Sequence, residues 1–188
     1  LKSLDLSNFH TGNVTDMSDM FLECAGLESL DLRSFDTAKV TNMSGMFKDC
    51  KRLQIAPISG IDIDGSTMKG SFSTSKVTNM SHMFENCEFI SSLDLPSFDT
   101  SNVSDMQSMF ARCNNVTEFK LSNFKFNKAV NLSNMFANCK GVEKIDLSGF
   151  VPSNKLHSTS GMFSGCFNQD KRSPAGGRDV VQKLLHFF

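Results

Sequence analysis

The sequence predicts an α/β solenoid of about six stacked units, and three observations lead there. An eleven-residue segment, "VTDMSDMFLEC" from Val14, returns as "VTNMSGMFKDC" from Val40, "VTNMSHMFENC" from Val77, "VSDMQSMFARC" from Val103, "AVNLSNMFANC" from Ala129 and "LHSTSGMFSGC" from Leu156. The methionine of the Met-Phe pair recurs at Met20, Met46, Met83, Met109, Met135 and Met162, a period of about 26 residues with one long interval. Between these segments lies a second recurring frame of alternating apolar residues. A fixed period of this length is the mark of a repeat architecture, whose units cannot bury their apolar faces alone and must stack.

The alternating frame is a short strand. Leu1, Leu4, Leu6 and Phe9 return as Leu27, Leu30, Leu32 and Phe35, then as Ile90, Leu93, Leu95 and Phe98. Val116, Phe119, Leu121 and Phe124, and Val142, Ile145, Leu147 and Phe150, complete the series. Leu4 and Leu6 face inward while Ser3, Asp5 and Ser7 face outward, the two-residue period of a strand. Stacked units would pair these strands into a parallel sheet.

The Met-Phe segment reads as a helix. Met17, Met20, Phe21 and Cys24 stand at i, i+3, i+4 and i+7, one face of a helix. Asp16, Asn42, Asn79, Asp105, Asn131 and Ser158 precede it in one slot, and each can accept a bond from the N–H groups of a first turn. Gly26, Asn115, Gly141 and Asn168 follow the cysteine as residues that tolerate the left-handed conformation ending a helix, with Arg52 and Phe89 as exceptions. The repeat is therefore expected to be strand, loop and helix, wound right-handed.

Two places break the period. Extra residues, "KRLQIAPISGIDIDGSTMKGS", lie between Cys50 and Phe72, where either Ala56 and Ile58 or Ile61 and Ile63 could supply the strand. The surplus, near 54–71, would bulge from one edge as a binding loop or as a tolerated insertion. After Cys166 the string "FNQD" sounds like another repeat opening, but "KRSPAGGRDVVQKLLHFF" has no counterpart upstream. The expected organisation is a solenoid over 1–170 and a non-repeat tail or cap over 171–188. Leu1 already stands inside a repeat, so a longer parent chain is expected.

At this point the strings "LDLSNF", "FDTSNVSDMQSMF", "VTNMSHMF" and "MFSGCFNQD" resemble the BspA-type leucine-rich-repeat family, catalogued in mycoplasmas as a domain of unknown function. The resemblance implies a leucine-rich-repeat-like fold. It further implies an extracellular or cell-surface protein of bacteria and some protists, acting as an adhesin or interaction scaffold. It carries no catalytic residues. Where the general leucine-rich pattern places Asn, this chain has Phe9, Phe35, Phe72, Phe98, Phe124 and Phe150, an apolar spine in place of an amide ladder.

Composition narrows the function. The 188 residues carry 19 basic and 20 acidic side chains. That balance argues against nucleic acid as a partner, which needs a concentrated basic surface. No apolar run approaches the roughly 20 residues of a membrane-spanning helix. The 18 Phe occur with neither Trp nor Tyr. The missing residues are those favoured at interfaces, and Phe in fixed slots more often fills a core.

The six cysteines stand a full repeat apart, so they line the stack and do not cluster as metal ligands would. Adjacent turns could meet the distance a disulfide needs, but each Cys continues an apolar face, so a row of reduced, buried thiols is expected. All methionines except Met68 lie in the Met-Phe half at core spacing. His10, His82, His157 and His186 share no slot, and no nucleotide-binding or nucleophile motif is present. The reading is non-enzymatic, with no cofactor and no metal. Six N-x-S/T strings, at Asn13, Asn42, Asn79, Asn102, Asn115 and Asn131, mostly restate the repeat and read as caps before they read as glycosylation acceptors.

Two columns remain as candidate surfaces. Asp5, Asp31, Asp94, Lys120 and Asp146 should line up on the exposed strand face, joined by Asp62 if the second insertion register holds. They would meet a basic protein partner, another host or cell-surface macromolecule, or calcium, although Lys120 interrupts the row and a hard cation needs several converging oxygens, or else serve as solubilising charges that discourage sheet association. The competing picture is a spacer with no specific ligand. Thr11, Thr37, Thr74 and Thr100 form a ladder of the kind that orders water, but Phe126 and Pro152 interrupt it.

Overall fold

In the computed structural model, residues 1–54, 72–91, 93–151 and 153–166 are described. The insertion, with Asp62 and both candidate strand registers, and the tail 171–188 lie outside them.

The alternating frames form three short parallel strands, β1 (Leu93–Asp94), β2 (Glu118–Lys120) and β3 (Lys144–Asp146), in the order β1-β2-β3. Leu93 pairs with Phe119 and Phe119 with Ile145, so equivalent positions of successive repeats stand side by side. The inward residues Leu93, Phe119 and Ile145 are buried.

The expected helices are not formed: among the described residues the structure contains none. The Met-Phe segments are instead stacked four-residue turns. In the second copy, the N–H groups of Met43, Gly45, Phe47 and Asp49 reach the carbonyls of Asn79, Ser81, Met83 and Glu85 in the next copy, at 2.8–3.0 Å. The alternate N–H groups of Met46, Lys48 and Cys50 close turns onto Met43, Gly45 and Phe47. Half the backbone donors thus run along the stack and half stay within the turn, where a helix would keep all of them inside the segment. Parallel bridges join the six rungs Asp16, Asn42, Asn79, Asp105, Asn131 and Ser158.

The turns explain why the apolar pattern resembled a helix. Met43 and Met46 open and close one turn, Phe47 and Cys50 the next, and all four point into the core. Two successive four-residue turns repeat every four residues, too close to 3.6 for one segment to separate. A second signal does separate them. The residue before each Met and the residue before each Cys take positive φ: Asp19 and Glu23, Gly45 and Asp49, His82 and Asn86, Ser108 and Arg112, Asn134 and Asn138, Gly161 and Gly165. Eight of these twelve are Asn, Asp or Gly, the residues that enter the left-handed region most readily. At Gly45 the requirement is double, since an added Cβ would also stand 2.0 Å from the Asp19 carboxylate.

The core is a set of columns. Phe21, Phe47, Phe84, Phe110, Phe136 and Phe163 stack face to face through six copies, with centroids 5.4–6.0 Å apart. The second spine is less regular: Phe9 stacks on Phe35 and Phe98 on Phe124, while Phe150 meets Phe126. Phe9, in the first repeat, is 48% exposed.

Candidate functional site

The strand-face column is partly assembled as the sequence implied. Asp94 pairs with Lys120 and Lys120 with Asp146 in the parallel register. Beside them Lys144 Nζ meets Glu118 Oε1 at 2.6 Å. This pair lowers the Glu118 pKa and raises that of Lys144, the hydrogen bond between them being the main cause.

The carboxylates also have local work. Asp5 Oδ1 accepts the N–H of Ser7 at 2.9 Å, Asp31 Oδ1 that of Arg33 at 2.9 Å and Asp146 Oδ1 that of Ser148 at 3.0 Å. At Asp146 this bond turns the chain out of β3, and at Asp5 and Asp31 it bends the chain in the same Asx-turn manner. Asp31 is further held by the Arg33 guanidinium, with Nη2 to Oδ2 at 2.6 Å. Asp5 and Asp146 have depressed pKa values chiefly because of the backbone N–H bonds, and Asp31 because of the Arg33 side chain. Between the first two repeats Leu4, Asp5, Leu6, Ser7, Asp31, Arg33 and Ser34 line a shallow groove of about 300 Å³. The two acids and one guanidinium at its mouth can offer a partner both acceptors and donors.

The threonine column is not a water-facing surface. Thr11, Thr37, Thr74 and Thr100 are buried. Each hydroxyl is inserted into the backbone of the next repeat: Thr100 Oγ1 donates to the Lys125 carbonyl at 3.0 Å and accepts the Lys125 N–H at 2.7 Å. The same paired bonds join Thr11 to Asp36, Thr37 to Ser73 and Thr74 to Asp99. Phe126 takes the next place in the column and is buried against Phe124 and Phe150.

The cysteines are all free. Cys50, Cys87, Cys113, Cys139 and Cys166 are buried, and each Sγ–H donates to the Phe carbonyl of the preceding copy, at 2.7–3.3 Å. Burial pushes Cys50 and Cys113 up to about 12 and raises Cys87 well above the ordinary range. The neighbouring Cys166 thiol, together with burial, raises Cys139. Such thiols are poor nucleophiles and poor metal ligands. Among the described residues no three His, Cys, Asp or Glu converge as a metal site, and no helix is long and apolar enough to cross a membrane.

The helix-cap slot keeps its chemistry in a different setting. Asp16, Asn42, Asn79, Asp105 and Asn131 each accept the N–H two residues on, at 2.8–3.1 Å. Asn42 also reaches across to Asp16, and Asn131 to Gln107.

The family described as "Mycoplasma protein of unknown function, DUF285" matches residues 2–69 and 62–174, most of the chain. The chain belongs to that family. Its BspA-like leucine-rich-repeat character rests on this match together with the leucine-rich-repeat fold of a solved structure. Among solved structures this DUF285 chain is similar to a leucine-rich repeat protein of T. pallidum, at 18% identity and a TM-score of 0.50, over 97% of this chain and 81% of that one. A leucine-rich repeat protein from Bacteroides ovatus ATCC 8483 is also 18% identical, with a TM-score of 0.40, over 88% of this chain and 47% of its own. At this identity the first likeness is one of fold. No curated protein matches the chain.

Proposed function

We propose that this DUF285 chain is a non-enzymatic interaction module displayed at the cell surface, binding another protein through its exposed strand face. The observation that carries the reading is the aligned charged row Asp94–Lys120–Asp146, with Asp5, Asp31 and Arg33 around a groove on the same half of the repeat. A solenoid suits such a role because its rows of outward residues present a long, pre-organised surface. The insertion containing Asp62 is the second place a partner would engage. Surface location rests on the family's kinship with BspA-type surface repeats.

The test is binding to a panel of immobilised extracellular-matrix proteins, comparing wild type with a variant carrying Asp5→Ser, Asp31→Ser, Asp94→Ser and Asp146→Ser, and with a chain lacking residues 59–70. Loss in the aspartate variant assigns the strand face, and loss in the deletion assigns the loop. Wild-type binding unchanged in both would refute these sites. Failure of wild type to bind any of the panel would favour the spacer, for which adding or removing repeats should leave behaviour unchanged.

A further inference from the structure

A basic ridge runs along another edge of the stack. The residue just before each Met-Phe segment is, in order, Asn13, Lys39, Lys76, Asn102, Lys128 and Lys155. Each occupies the third position of a four-residue turn, closed for example by the Val40 N–H on the Thr37 carbonyl and the Leu156 N–H on Ser153. The four lysines and Asn13 are exposed, and Asn102 is half-buried. Two residues further on, an unbroken ladder of hydrogen bonds through Thr15, Thr41, Thr78, Ser104, Val130 and His157, at 2.8–2.9 Å, holds the turns in line.

The asparagines set the geometry of the lysines. Lys39 Nζ donates to Asn13 Oδ1 at 2.7 Å, and Lys128 Nζ to Asn102 Oδ1 at 2.5 Å. Asn102 is itself anchored by a bond from Nδ2 to the Ser75 carbonyl at 2.7 Å. An amide acceptor holds an ammonium in place without cancelling its charge, as a carboxylate would. Elsewhere on the molecule Lys2, Lys48 and Lys144 are matched with glutamates. Among the described residues none of the four ridge lysines makes an ion pair.

One neighbouring column follows the same order. Asp16 and Asp105 accompany the asparagine repeats, whereas Asn42, Asn79, Asn131 and Ser158 accompany the lysine repeats. On the other flank Asp36 and Asp99 give way to Lys125 and Val151. Negative charge is thus thinnest beside Lys128 and Lys155. With repeats about 4.8 Å apart, lysines in adjacent repeats lie well inside the Debye length of about 8 Å at physiological salt and act together.

We propose that this ridge binds a linear sulfated polysaccharide. The charges form a line of roughly 19 Å and not a broad patch, taking five repeats at the strand spacing. Lysine ammonium groups are point donors suited to sulfate oxygens that vary in orientation. Among the described residues the ridge turns carry no exposed Phe on which a base could stack, as single-stranded nucleic acid binding requires. Among the same residues there is no exposed Leu or Met within the turns to enter a bilayer. The site is separate from the strand face and stands or falls independently of it.

Heparin is the probe. The wild-type chain should be retained on immobilised heparin at low ionic strength and released as NaCl rises. Lys128→Gln with Lys155→Gln should weaken binding about tenfold and Lys39→Gln with Lys76→Gln about threefold, since the first pair has fewer acids beside it. Asn13→Ala with Asn102→Ala should also weaken it, although no charge changes. Lys48→Gln with Lys144→Gln, the four aspartate changes and deletion of 59–70 should leave it intact. The four ridge lysines are exposed, so their variants are expected to keep the wild-type melting curve, which is to be measured alongside for every variant. The proposal is overturned if wild type is not retained, if the ridge variants bind like wild type, or if duplex DNA or phosphatidylserine vesicles are held as tightly as heparin.

Discussion

Cysteine shows how one residue type can satisfy several demands of a stack. It is small, so it packs beneath the Phe column, and its thiol supplies a donor to a carbonyl of the copy before. Cys24 has no such preceding carbonyl among the described residues and is only half-buried. Alkylation of the native protein should therefore label Cys24 first and the other five only on the timescale of unfolding, whereas the denatured, unreduced chain should yield all six thiols; a labelling time course followed by mass spectrometry reads both. Threonine shows the same economy. Thr100→Val should cost about 1–3 kcal/mol in denaturant unfolding, because the N–H and C=O of Lys125 lose their partner inside the stack. Thr100→Ser, which keeps the hydroxyl, should lose less.

At the scale of the element, the left-handed positions decide between turn and helix. Arg112 holds φ at 61° with a full side chain. Arg112→Gly should stabilise the protein by about 0.5–1 kcal/mol, since an L-residue in that region costs about 1–2 kcal/mol and glycine loses part of the gain in chain entropy. Gly45→Ala should destabilise it, from both the positive φ and the approach to Asp19. Paired unfolding curves check the opposite signs. The apolar spacing was legible in the sequence, and so was the polar slot at Asp16 and Asn42, but their assignment to a helix was not correct. A four-residue turn period and a helical one coincide over eight residues, and only the Asn, Asp and Gly before Met and Cys distinguish them.

Across the whole molecule, burial and charge give a defined stability window. Asp16, Asp31, Asp99, Asp146, Glu85 and Glu118 all have lowered pKa values, through hydrogen bonds from nearby N–H, hydroxyl, amide, imidazole, ammonium or guanidinium groups. Groups depressed on folding stabilise the native state above their unfolded values and lose that contribution as pH falls through the folded ones. Burial raises the thiols of Cys50, Cys87 and Cys113, so their contribution is complete below an unfolded pKa of about 8.5 and is lost as pH climbs toward the folded values. Stability measured against pH should thus hold between about 5 and 8 and fall on both sides. Position along the stack matters as well. Phe84 has stacked neighbours on both sides at 5.4 and 6.0 Å, and Phe84→Ala should cost about 3–5 kcal/mol. Phe9→Ala, at a half-exposed side chain, should cost much less, and the two variants compared by thermal unfolding test how far the cost follows burial.

The sequence by itself determined the period, the inward residues of the later strands and the buried thiol row, and its recurring Met-Ser-x-Met-Phe strings pointed to the family. The first three follow from apolar spacing, which survives whatever local conformation the backbone takes, although Leu4, expected inward, is 37% exposed. Tertiary structure decided where the backbone donors go. Half of those in the Met-Phe segment bond to the next copy, and a bond across some 26 residues leaves no mark on the local pattern. It also decided that the threonines face inward and that Asn13 and Asn102 hold lysines of the following repeat. The lysine ridge was spelled out one residue per repeat and became a surface only when the repeats were stacked, because its spacing of a few ångströms is set by the hydrogen bonds between copies.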